Sequence, residues 1–461
     1  MTAPLVVIGD VMLDVDRSGS AGRLSPEAPV PVLHDVSDRR RPGGAALAAL
    51  LAARNGSRPV TLIAPFADDD AARQIRELLG DRVRVLPLPW AGSTPVKTRL
   101  RAGGHPIARI DEGGDRGVIG ALPAEVGAAL TSAAAVLVAD YGVGATACPP
   151  LRHLLEGLGG RTPLVWDPHL RGSAPVAGTW WVTPNEAELT ALTVDVQPVA
   201  GVVGTLRRRA EALAARWPVR GVCVTVGGRG AMLFAGGNPP LAVAPPAVTV
   251  GDTCGAGDSF AAAAAAAFAE GAVPSEVVAA AVAGAARFVA AGGAAGFDAV
   301  QPKSGAADDD RRRPVAELLA QVRQLGGTVV ATGGCFDLLH AGHVATLQAA
   351  RALGDCLVVC LNSDASVRRL KGSGRPLQPE LDRARVLAAL ECVDAVVIFD
   401  QDTPCSVLPD IRPDLWAKGG DYSGLDLPEA EVLAQWGGEV VTVPYLPGRS
   451  TTALVALAGS S

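Results

Sequence analysis

Short segments rich in Val and Leu alternate with Ala-rich segments of helical length along most of this 461-residue chain. Alternation of strands and helices is typical of α/β layers built around mainly parallel sheets. Hydrophobic residues make up 49% of the chain and charged residues 19%, a composition that favours globular cores over disorder. At about 150 residues per domain, the length indicates two to three domains. The pattern therefore predicts a multidomain α/β protein.

The alternation is interrupted by one polar stretch. Residues 301–314, QPKSGAADDDRRRP, have the composition of a linker. A short helical segment follows, and a fresh apolar strand, TVVAT, begins at Thr328. We therefore predict one domain over 1–300, a linker with a connecting helix over 301–327, and a second domain over 328–461.

Charge and cysteine content narrow the possible locations and partners. The formal net charge is −6, which gives no reason to expect nucleic acid or an anionic membrane as a partner. The opening MTAPLVVIGD lacks the basic region of a signal peptide. The longest charge-free stretch, 231–251, contains four prolines and so does not fit a plain membrane-spanning helix. The eight cysteines form no CxxC pair and fit reduced thiols, so we expect a cytoplasmic protein.

The segment 251–260, GDTCGAGDSF, is the clearest chemical motif of the first domain. Its small residues Gly255, Ala256 and Gly257 precede an Ala-rich helix, where bare backbone N–H groups and the helix dipole bind anions. Asp258 would stand beside such an anion as a general base that takes a proton from an attacking hydroxyl. The alternative interpretation is an N-capping Asp in a Gly-rich turn.

The order of motifs in this domain resembles the ribokinase-like sugar kinases, whose signature ends in DTxGAGD. The resemblance implies a three-layer domain with a β lid. In GDVMLD, Asp14 would bind sugar hydroxyls, and in RPGGAA, Gly43 and Gly44 would let the backbone approach the sugar. In TPNEAE, Asn185 and Glu188 would organise Mg²⁺ through water. The resemblance further implies that nucleotide is bound by Asn185, Glu186, Ala187, Glu188, Thr225, Gly227, Gly230, Gly255, Ala256 and Gly257.

A narrower resemblance is to the kinase half of the bifunctional D-glycero-β-D-manno-heptose 7-phosphate kinases/heptose 1-phosphate adenylyltransferases. It is carried by SPEAPVPV, which suits an extended lid, and by TPVKTR, in which Lys97 would bind substrate. The chain departs from the family pattern at three positions: Leu47 stands where Asn is usual, and Val143 and His169 stand where Lys is usual. These departures indicate a possible change in sugar specificity or kinase rate. His169 also fits a hydrogen-bonded turn residue.

The second domain opens with GGCFDLLHAGH after its first strand. His340 and His343 lie three residues apart at a predicted helix start, so both face the same way, and Gly342 leaves room for a phosphate. Two imidazoles and helix N–H groups would together hold nucleotide phosphates. Zinc is the rival ligand for a His pair, but no third ligand is close in sequence.

This is the HxGH signature of the Rossmann-like nucleotidyltransferases, and the segment resembles the adenylyltransferase half of the same bifunctional family. The resemblance implies catalytic roles for His340, His343 and Lys371. Lys371 and Lys418 also fit surface charges, and Arg383 also fits half of an exposed helix ion pair. The positions that would bind nucleotide are Phe336, Gly342, Arg383, Lys418, Ser450, Thr451 and Thr452.

Together the two resemblances imply an enzyme that uses ATP and Mg²⁺ to phosphorylate a heptose 7-phosphate at C1 and then adenylylates the product to ADP-heptose. A homodimer is expected, because sugar kinases of this fold often pair through the lid. One alternative is that only the nucleotidyltransferase is active, or that a different nucleotide sugar is made. Another is a binding or scaffold role for a degenerate kinase domain. The intact GAGD and NEAE motifs favour an enzyme.

Overall fold

A computed structural model of the protein describes residues 2–103, 105–114, 117–246, 252–293, 315–372, 374–420 and 427–444. The chain forms two compact units. The first comprises 1–192, 214–222 and 248–302. The second comprises 193–213, 223–247 and 303–461. The predicted domain boundaries stay a prediction, and 301–314, the polar part of the predicted linker, lies outside the described residues.

Most strands are short and buried, as expected for apolar runs of Val, Leu and Ile inside a sheet. In chain order they are β1 (Leu5–Gly9), β2 (Val11–Leu24), β3 (Pro31–Gly44), β4 (Val60–Phe66), β5 (Val83–Pro89), β6 (Val96–Ala102), β7 (His105–Glu112), β8 (Ala135–Ala139), β9 (Leu164–Asp167), β10 (Thr179–Val182), β11 (Val219–Thr225), β12 (Ala231–Phe234), β13 (Leu241–Val243), β14 (Val329–Gly334), β15 (Cys356–Asn362), β16 (Ala395–Phe399), β17 (Leu415–Gly419) and β18 (Glu439–Val443).

The helices fall mostly between consecutive strands, as the alternating sequence predicts. They are α1 (Ala45–Asn55), α2 (Asp70–Leu79), α3 (Ala124–Thr131), α4 (Pro149–Glu156), α5 (Glu186–Leu192), α6 (Val202–Arg216), α7 (Ala256–Ala269), α8 (Pro274–Ala290), α9 (Val315–Gln324), α10 (Ala341–Arg351), α11 (Asp364–Lys371), α12 (Glu380–Ala388), α13 (Leu408–Ile411) and α14 (Pro428–Leu433).

The first unit contains a parallel sheet in the order β10-β9-β8-β1-β4-β5, to which the first residues of β11 add beside β10. Helices α1, α7 and α8 pack together, with α7 against β8 and β9. A separate four-stranded sheet, β3-β2-β6-β7, is the predicted lid. The ribokinase-like α/β architecture expected from the sequence is confirmed. Loops after parallel strands collect at the carboxyl edge of such a sheet, where α/β proteins bind ligands.

The second unit contains a sheet in the order β16-β15-β14-β17-β18-β13-β12. The pairings from β16 to β18 are parallel, as the predicted Rossmann-like arrangement requires. The core of this unit is built from β14, β15 and β17, and it includes the side chains of Cys356, Cys360 and Trp416. All eight cysteines are unpaired, as expected for reduced thiols. Among the described residues, no helix is long and apolar enough to cross a membrane.

Candidate active sites

The predicted anion loop of the first unit stands at the N-terminus of α7. Gly255 precedes the helix with φ +84°, a left-handed conformation that glycine adopts without strain. A Cβ at Gly255 would lie 3.0 Å from a methyl of Leu47, so this glycine also permits close packing. A Cβ at Gly257 would meet no atom within 4 Å. Gly257 therefore faces open space in front of the helix N-terminus, where a phosphate would fit.

Asp258 occupies the first turn of α7 and is only 7% exposed. Burial raises the pKa of its carboxyl group to about 7. A hydrogen bond from the Tyr141 hydroxyl, 2.6 Å from Oδ1 of Asp258, acts in the opposite direction. The ammonium of Lys97 also lowers this pKa, whereas Asp14 raises it. A general base works best when its pKa is near the operating pH, and Asp258 meets that requirement.

The loop that carries Tyr141 follows β8 and is held by Asp10, which follows β1. The buried Asp10 carboxylate accepts hydrogen bonds from the backbone N–H groups of Tyr141, Val143, Gly144 and Ala145, at 2.9–3.1 Å. Val143, at a position where Lys is usual, uses its backbone N–H for this contact, and the contact does not depend on the side chain. The replacement of Lys by Val therefore leaves the hydrogen bonds that hold the loop intact.

The residues predicted to bind sugar lie together at the base of the lid. Asp14 on β2 is opposite Lys97 on β6 in the strand register. A Cβ at Gly43 would lie 2.7 Å from Oδ2 of Asp14, so only glycine admits this carboxylate. Gly44 has φ +60° and abuts the backbone of the β1–β2 turn. Arg99 donates to Asp14 at 2.6 Å, an ion pair that the sequence motifs did not predict.

Asn185 and Glu188 form a reciprocal pair at the start of α5. The Asn185 Oδ1 accepts from the Glu188 N–H, and Glu188 Oε2 accepts from the Asn185 N–H, both at 2.9 Å. One carboxylate oxygen of Glu188 remains for a cation. Burial raises the pKa of this carboxyl group, and its hydrogen bonds with Asn185 act in the opposite direction.

The described residues contain no cluster of three or more His, Cys, Asp or Glu that would hold a metal alone. This donor set fits Mg²⁺, which keeps water and substrate phosphates as ligands. The neighbouring Glu186 and Ala187 lie in the first turn of α5.

The predicted nucleotide residues around Thr225 belong to a tight turn after β11. Gly227 and Gly230 have φ +60° and +90°. A Cβ at Gly230 would lie 2.0 Å from the carbonyl oxygen of Val243, so glycine is required there for packing. A Cβ at Gly227 would meet no atom within 4 Å, so packing does not require glycine there. Its positive φ is what favours glycine at this position.

In the second unit the two histidines of HAGH lie at the N-terminus of α10, as the sequence predicts. Their rings stack with centroids 3.9 Å apart. His340 is the N-cap, and its Nδ1 accepts from the Gly342 N–H at 3.1 Å. In the neutral ring of His340 the proton therefore sits on Nε2. Phe336, with φ +41°, packs against His343 at a centroid distance of 5.2 Å.

The His343 ring is neutral near pH 7. Burial, together with the neighbouring His340 and Lys371, lowers its pKa to about 4. A neutral imidazole still donates one hydrogen bond, and a bound polyphosphate would favour the charged form. The Nδ1 of His343 is buried and has no hydrogen-bond partner in the described part of the chain.

A pocket of about 340 Å³ opens at the carboxyl edge of β14 and β17. His343 lines it on one side, and Lys418 and Glu429 line it on another. Lys418 Nζ lies 3.4 Å from Oε1 of Glu429, so the predicted phosphate contact already has an acidic neighbour. Lys371 Nζ lies 2.9 Å from the Cys335 thiol at the end of β14. The predicted hydroxyl residues Ser450, Thr451 and Thr452 lie outside the described residues.

The structure contradicts one of the two interpretations of Arg383, the exposed helix ion pair. Its side chain is fully buried, which excludes an exposed ion pair. The guanidinium donates to the carbonyl oxygens of Gln378, Cys335 and Asn362 and to Oδ1 of Asp364, at 2.6–2.9 Å. With these donors engaged inside the protein, Arg383 fixes the loops that follow β14 and β15, and its role in binding nucleotide stays a prediction.

We expect Arg383→Met to destabilise the protein by about 3 kcal/mol, because it leaves buried carbonyls and Asp364 without their donor. Urea unfolding followed by circular dichroism measures the change. Arg385→Met is the matched control, since Arg385 on the same helix is 80% exposed and pairs across the surface with Asp382. Equal stability of the two variants, with a raised KM for ATP in Arg383→Met alone, would instead support the nucleotide-binding role.

Sequence reasoning did not assign roles to Asp10 and Tyr141. Asp10 directly follows the apolar strand β1, and Tyr141 is the second residue after β8, so position at the carboxyl edge of the sheet was the available signal. The sequence motif did not reveal that the Tyr141 hydroxyl hydrogen-bonds Asp258, which is 117 positions away in sequence.

Comparison with known proteins assigns each half of the chain. A model of the pfkB family carbohydrate kinases matches residues 161–299, and a cytidylyltransferase-like model matches residues 331–445. The chain is 54% identical to the "Bifunctional protein HldE" of Streptomyces coelicolor, over 99% of this chain and 96% of the relative. It is 37% identical to the protein of the same name from Azorhizobium caulinodans, over 99% of this chain and 98% of that relative.

Among solved structures, Arabidopsis thaliana ribokinase complexed with ribose and ATP superposes with a TM-score of 0.50. The match covers 63% of this chain and 93% of the ribokinase at 24% identity, and supports the fold of the kinase half.

Proposed function

The chain belongs to the family of bifunctional HldE proteins, and from this premise we propose that its two sites act in succession on one sugar phosphate. It is a sugar kinase and a nucleotidyltransferase on one polypeptide. The first step phosphorylates D-glycero-β-D-manno-heptose 7-phosphate at C1 with ATP. The second transfers an adenylyl group from ATP to the heptose 1-phosphate, giving ADP-heptose and pyrophosphate.

One observation carries this assignment: a buried base and a histidine pair each stand at a helix N-terminus at the carboxyl edge of a parallel sheet. Each arrangement places backbone N–H groups and the positive end of a helix dipole before a phosphate. The base serves a reaction that begins with removal of a hydroxyl proton. The histidines serve a reaction whose nucleophile is already an anion and needs no base.

In the kinase step, Asp14 holds the sugar while Asp258 takes the proton of the C1 hydroxyl. The C1 oxygen forms a bond to the γ-phosphorus of ATP as the bond to the bridging oxygen breaks, and ADP leaves. The N–H groups at the start of α7 face the charge that develops on the transferred group. Mg²⁺ held with the nucleotide near Asn185 and Glu188 would offset phosphate charge.

In the nucleotidyl transfer, a phosphate oxygen of the heptose 1-phosphate attacks the α-phosphorus of ATP, and pyrophosphate leaves. His340, His343 and Lys371 hydrogen-bond and neutralise the α-phosphate and the leaving group. Catalysis here is positioning plus electrostatic stabilisation, with no covalent enzyme intermediate. Phe336 and Lys418 frame the same pocket and would contact the nucleotide.

A cytoplasmic location is part of the proposal, supported by eight unpaired cysteines. A homodimer paired through the lid sheet is also proposed. It is supported by apolar side chains that stand 40–46% exposed on two lid strands, Val36, Ile107 and Ile110.

The test is a coupled assay with the purified full-length chain, ATP and heptose 7-phosphate, with the product identified by mass. ADP-heptose and pyrophosphate are expected. If product forms only from supplied heptose 1-phosphate, the kinase domain is inactive on this sugar and the chain is a nucleotidyltransferase alone. A different base or sugar mass would overturn the proposed substrates.

A further inference from the structure

We propose that Tyr141 is a positioning residue for the kinase step: its hydroxyl holds Oδ1 of Asp258, so that Oδ2 is directed to the attacking sugar hydroxyl. This proposal rests on the proposed kinase function. It begins with a hydrogen bond to the base, 2.6 Å from the Tyr141 Oη to Asp258 Oδ1. The structure gives Asp258 no other side-chain hydrogen bond within its described part, so this contact holds Oδ1 and leaves Oδ2 for the substrate.

The position of Tyr141 is determined by its loop. Four backbone N–H groups of that loop converge on the single carboxylate of Asp10, which is 1% exposed. Asp140, directly before Tyr141, accepts from the Thr146 hydroxyl at 2.8 Å and from the Ser173 N–H at 2.9 Å. Two buried carboxylates therefore hold both ends of the short turn that carries the Tyr141 phenol.

The ring of Tyr141 is also held on its faces. The Lys97 ammonium lies 5.6 Å from the ring centroid, within the range of a cation–π contact. The His169 ring stacks at 6.3 Å, and its own Nδ1 accepts from the Arg171 N–H. His169 is thus a hydrogen-bonded turn residue that packs against Tyr141. The phenol has little freedom to turn away from Asp258.

The phenol keeps its proton throughout the reaction. Burial and the negative charge of Asp258 raise the Tyr141 pKa well above its ordinary value, so the hydroxyl remains a donor. In the step itself the C1 hydroxyl proton moves to Oδ2 of Asp258 while the oxygen bonds to the γ-phosphorus and ADP departs. Tyr141 donates to the same carboxylate before and after and exchanges no proton.

Charged groups face Asp258 from four neighbouring elements. They are Asp14 on β2, Lys97 on β6, Asp167 at the end of β9 and Glu188 on α5. The carboxylates favour the protonated form of Asp258, and Lys97 favours the carboxylate. The Tyr141 hydrogen bond adds to the effect of Lys97, because a donor to an ionised carboxylate stabilises the charged form. Removal of the Tyr141 hydroxyl therefore raises the pKa of Asp258.

The experiment is the pH dependence of kcat/KM for heptose 7-phosphate in the wild type and in Tyr141→Phe. The wild-type rate should fall as pH drops through about 7, where Asp258 becomes protonated. In Tyr141→Phe we expect this acid limb to move upward by about one pH unit, which is a tenfold loss on the acid side. On the alkaline plateau kcat should fall, with KM for ATP unchanged.

Ser57→Ala is the matched control, since it removes a hydroxyl–carboxylate hydrogen bond, 3.0 Å from Ser57 to Glu270, on the exposed surface and away from the contacts that hold Tyr141. Its acid limb should stay at the wild-type pH. Adenylyl transfer to supplied heptose 1-phosphate should be normal in both variants and reports an intact chain. An unmoved limb in Tyr141→Phe overturns the positioning role. Absence of any wild-type phosphorylation of heptose 7-phosphate would instead overturn the proposed kinase function.

Discussion

Asp258→Asn is expected to lower the rate of sugar phosphorylation by about 10²–10⁴-fold, because an amide cannot take the hydroxyl proton. The side chain keeps its size and can still accept from Tyr141, so the fold of the α7 N-terminus should persist. Formation of heptose 1-phosphate and ADP from heptose 7-phosphate and ATP, measured near pH 8, gives the rate. Above the pKa of about 7 the wild-type base is a carboxylate, so the contrast is greatest there.

Two controls separate a chemical effect from a structural one. Asp70→Asn makes the same substitution on the exposed first turn of α2 and should leave the kinase rate unchanged. Adenylyl transfer by Asp258→Asn from supplied heptose 1-phosphate should match the wild type. The alternative of an N-capping Asp258 is wrong, because Gly255 is the N-cap of α7 and Asp258 lies in the first turn. A kinase rate within threefold of the wild type would therefore remove Asp258 from the role of base and leave it a structural residue of that turn.

His343→Ala is expected to lower adenylyl transfer by about 10²–10³-fold, the usual loss when a donor aimed at developing charge is deleted. His343→Asn should retain more activity than the Ala variant, because a neutral ring with a pKa of about 4 acts through a hydrogen bond that an amide can partly replace. The measurement is pyrophosphate release from ATP and heptose 1-phosphate.

The kinase activity of the same chain is the internal control and should be unchanged in both His343 variants. His153→Ala, on the exposed face of α4, should alter neither activity. If His343→Ala and wild type release pyrophosphate at the same rate, the HxGH histidines are not the transferase centre. Equal loss in the Asn and Ala variants would show that the charged imidazolium is required.

The three lysines that fall inside motifs illustrate the limit of local reasoning. Only four of the 41 basic residues are lysine, and three of these lie inside motifs, where a compact ammonium suits phosphate better than a guanidinium. The structure places Lys97 over the Tyr141 ring, Lys371 beside the Cys335 thiol and Lys418 beside Glu429. A phosphate role for each stays a prediction, because a flexible ammonium reaches several partners.

Sequence alone was sufficient for the fold class, the family and the two helix N-termini at which chemistry is placed. These depend on signals that are local in the chain: strand–helix periodicity, a glycine with positive φ before α7, and the HAGH start of α10. Backbone conformation and helix dipoles follow from neighbouring residues, so a short motif carries them.

Only the tertiary structure revealed that Tyr141 hydrogen-bonds Asp258, that Asp10 holds the Tyr141 loop, and that Arg383 is buried with its donors engaged. It also revealed that His343 is neutral near pH 7. These properties depend on the order of strands in a sheet, which brings distant loops to one edge, and on burial, which removes the water that stabilises charge. Neither the order of strands in a sheet nor the burial of a side chain can be predicted from the spacing of residues in a motif.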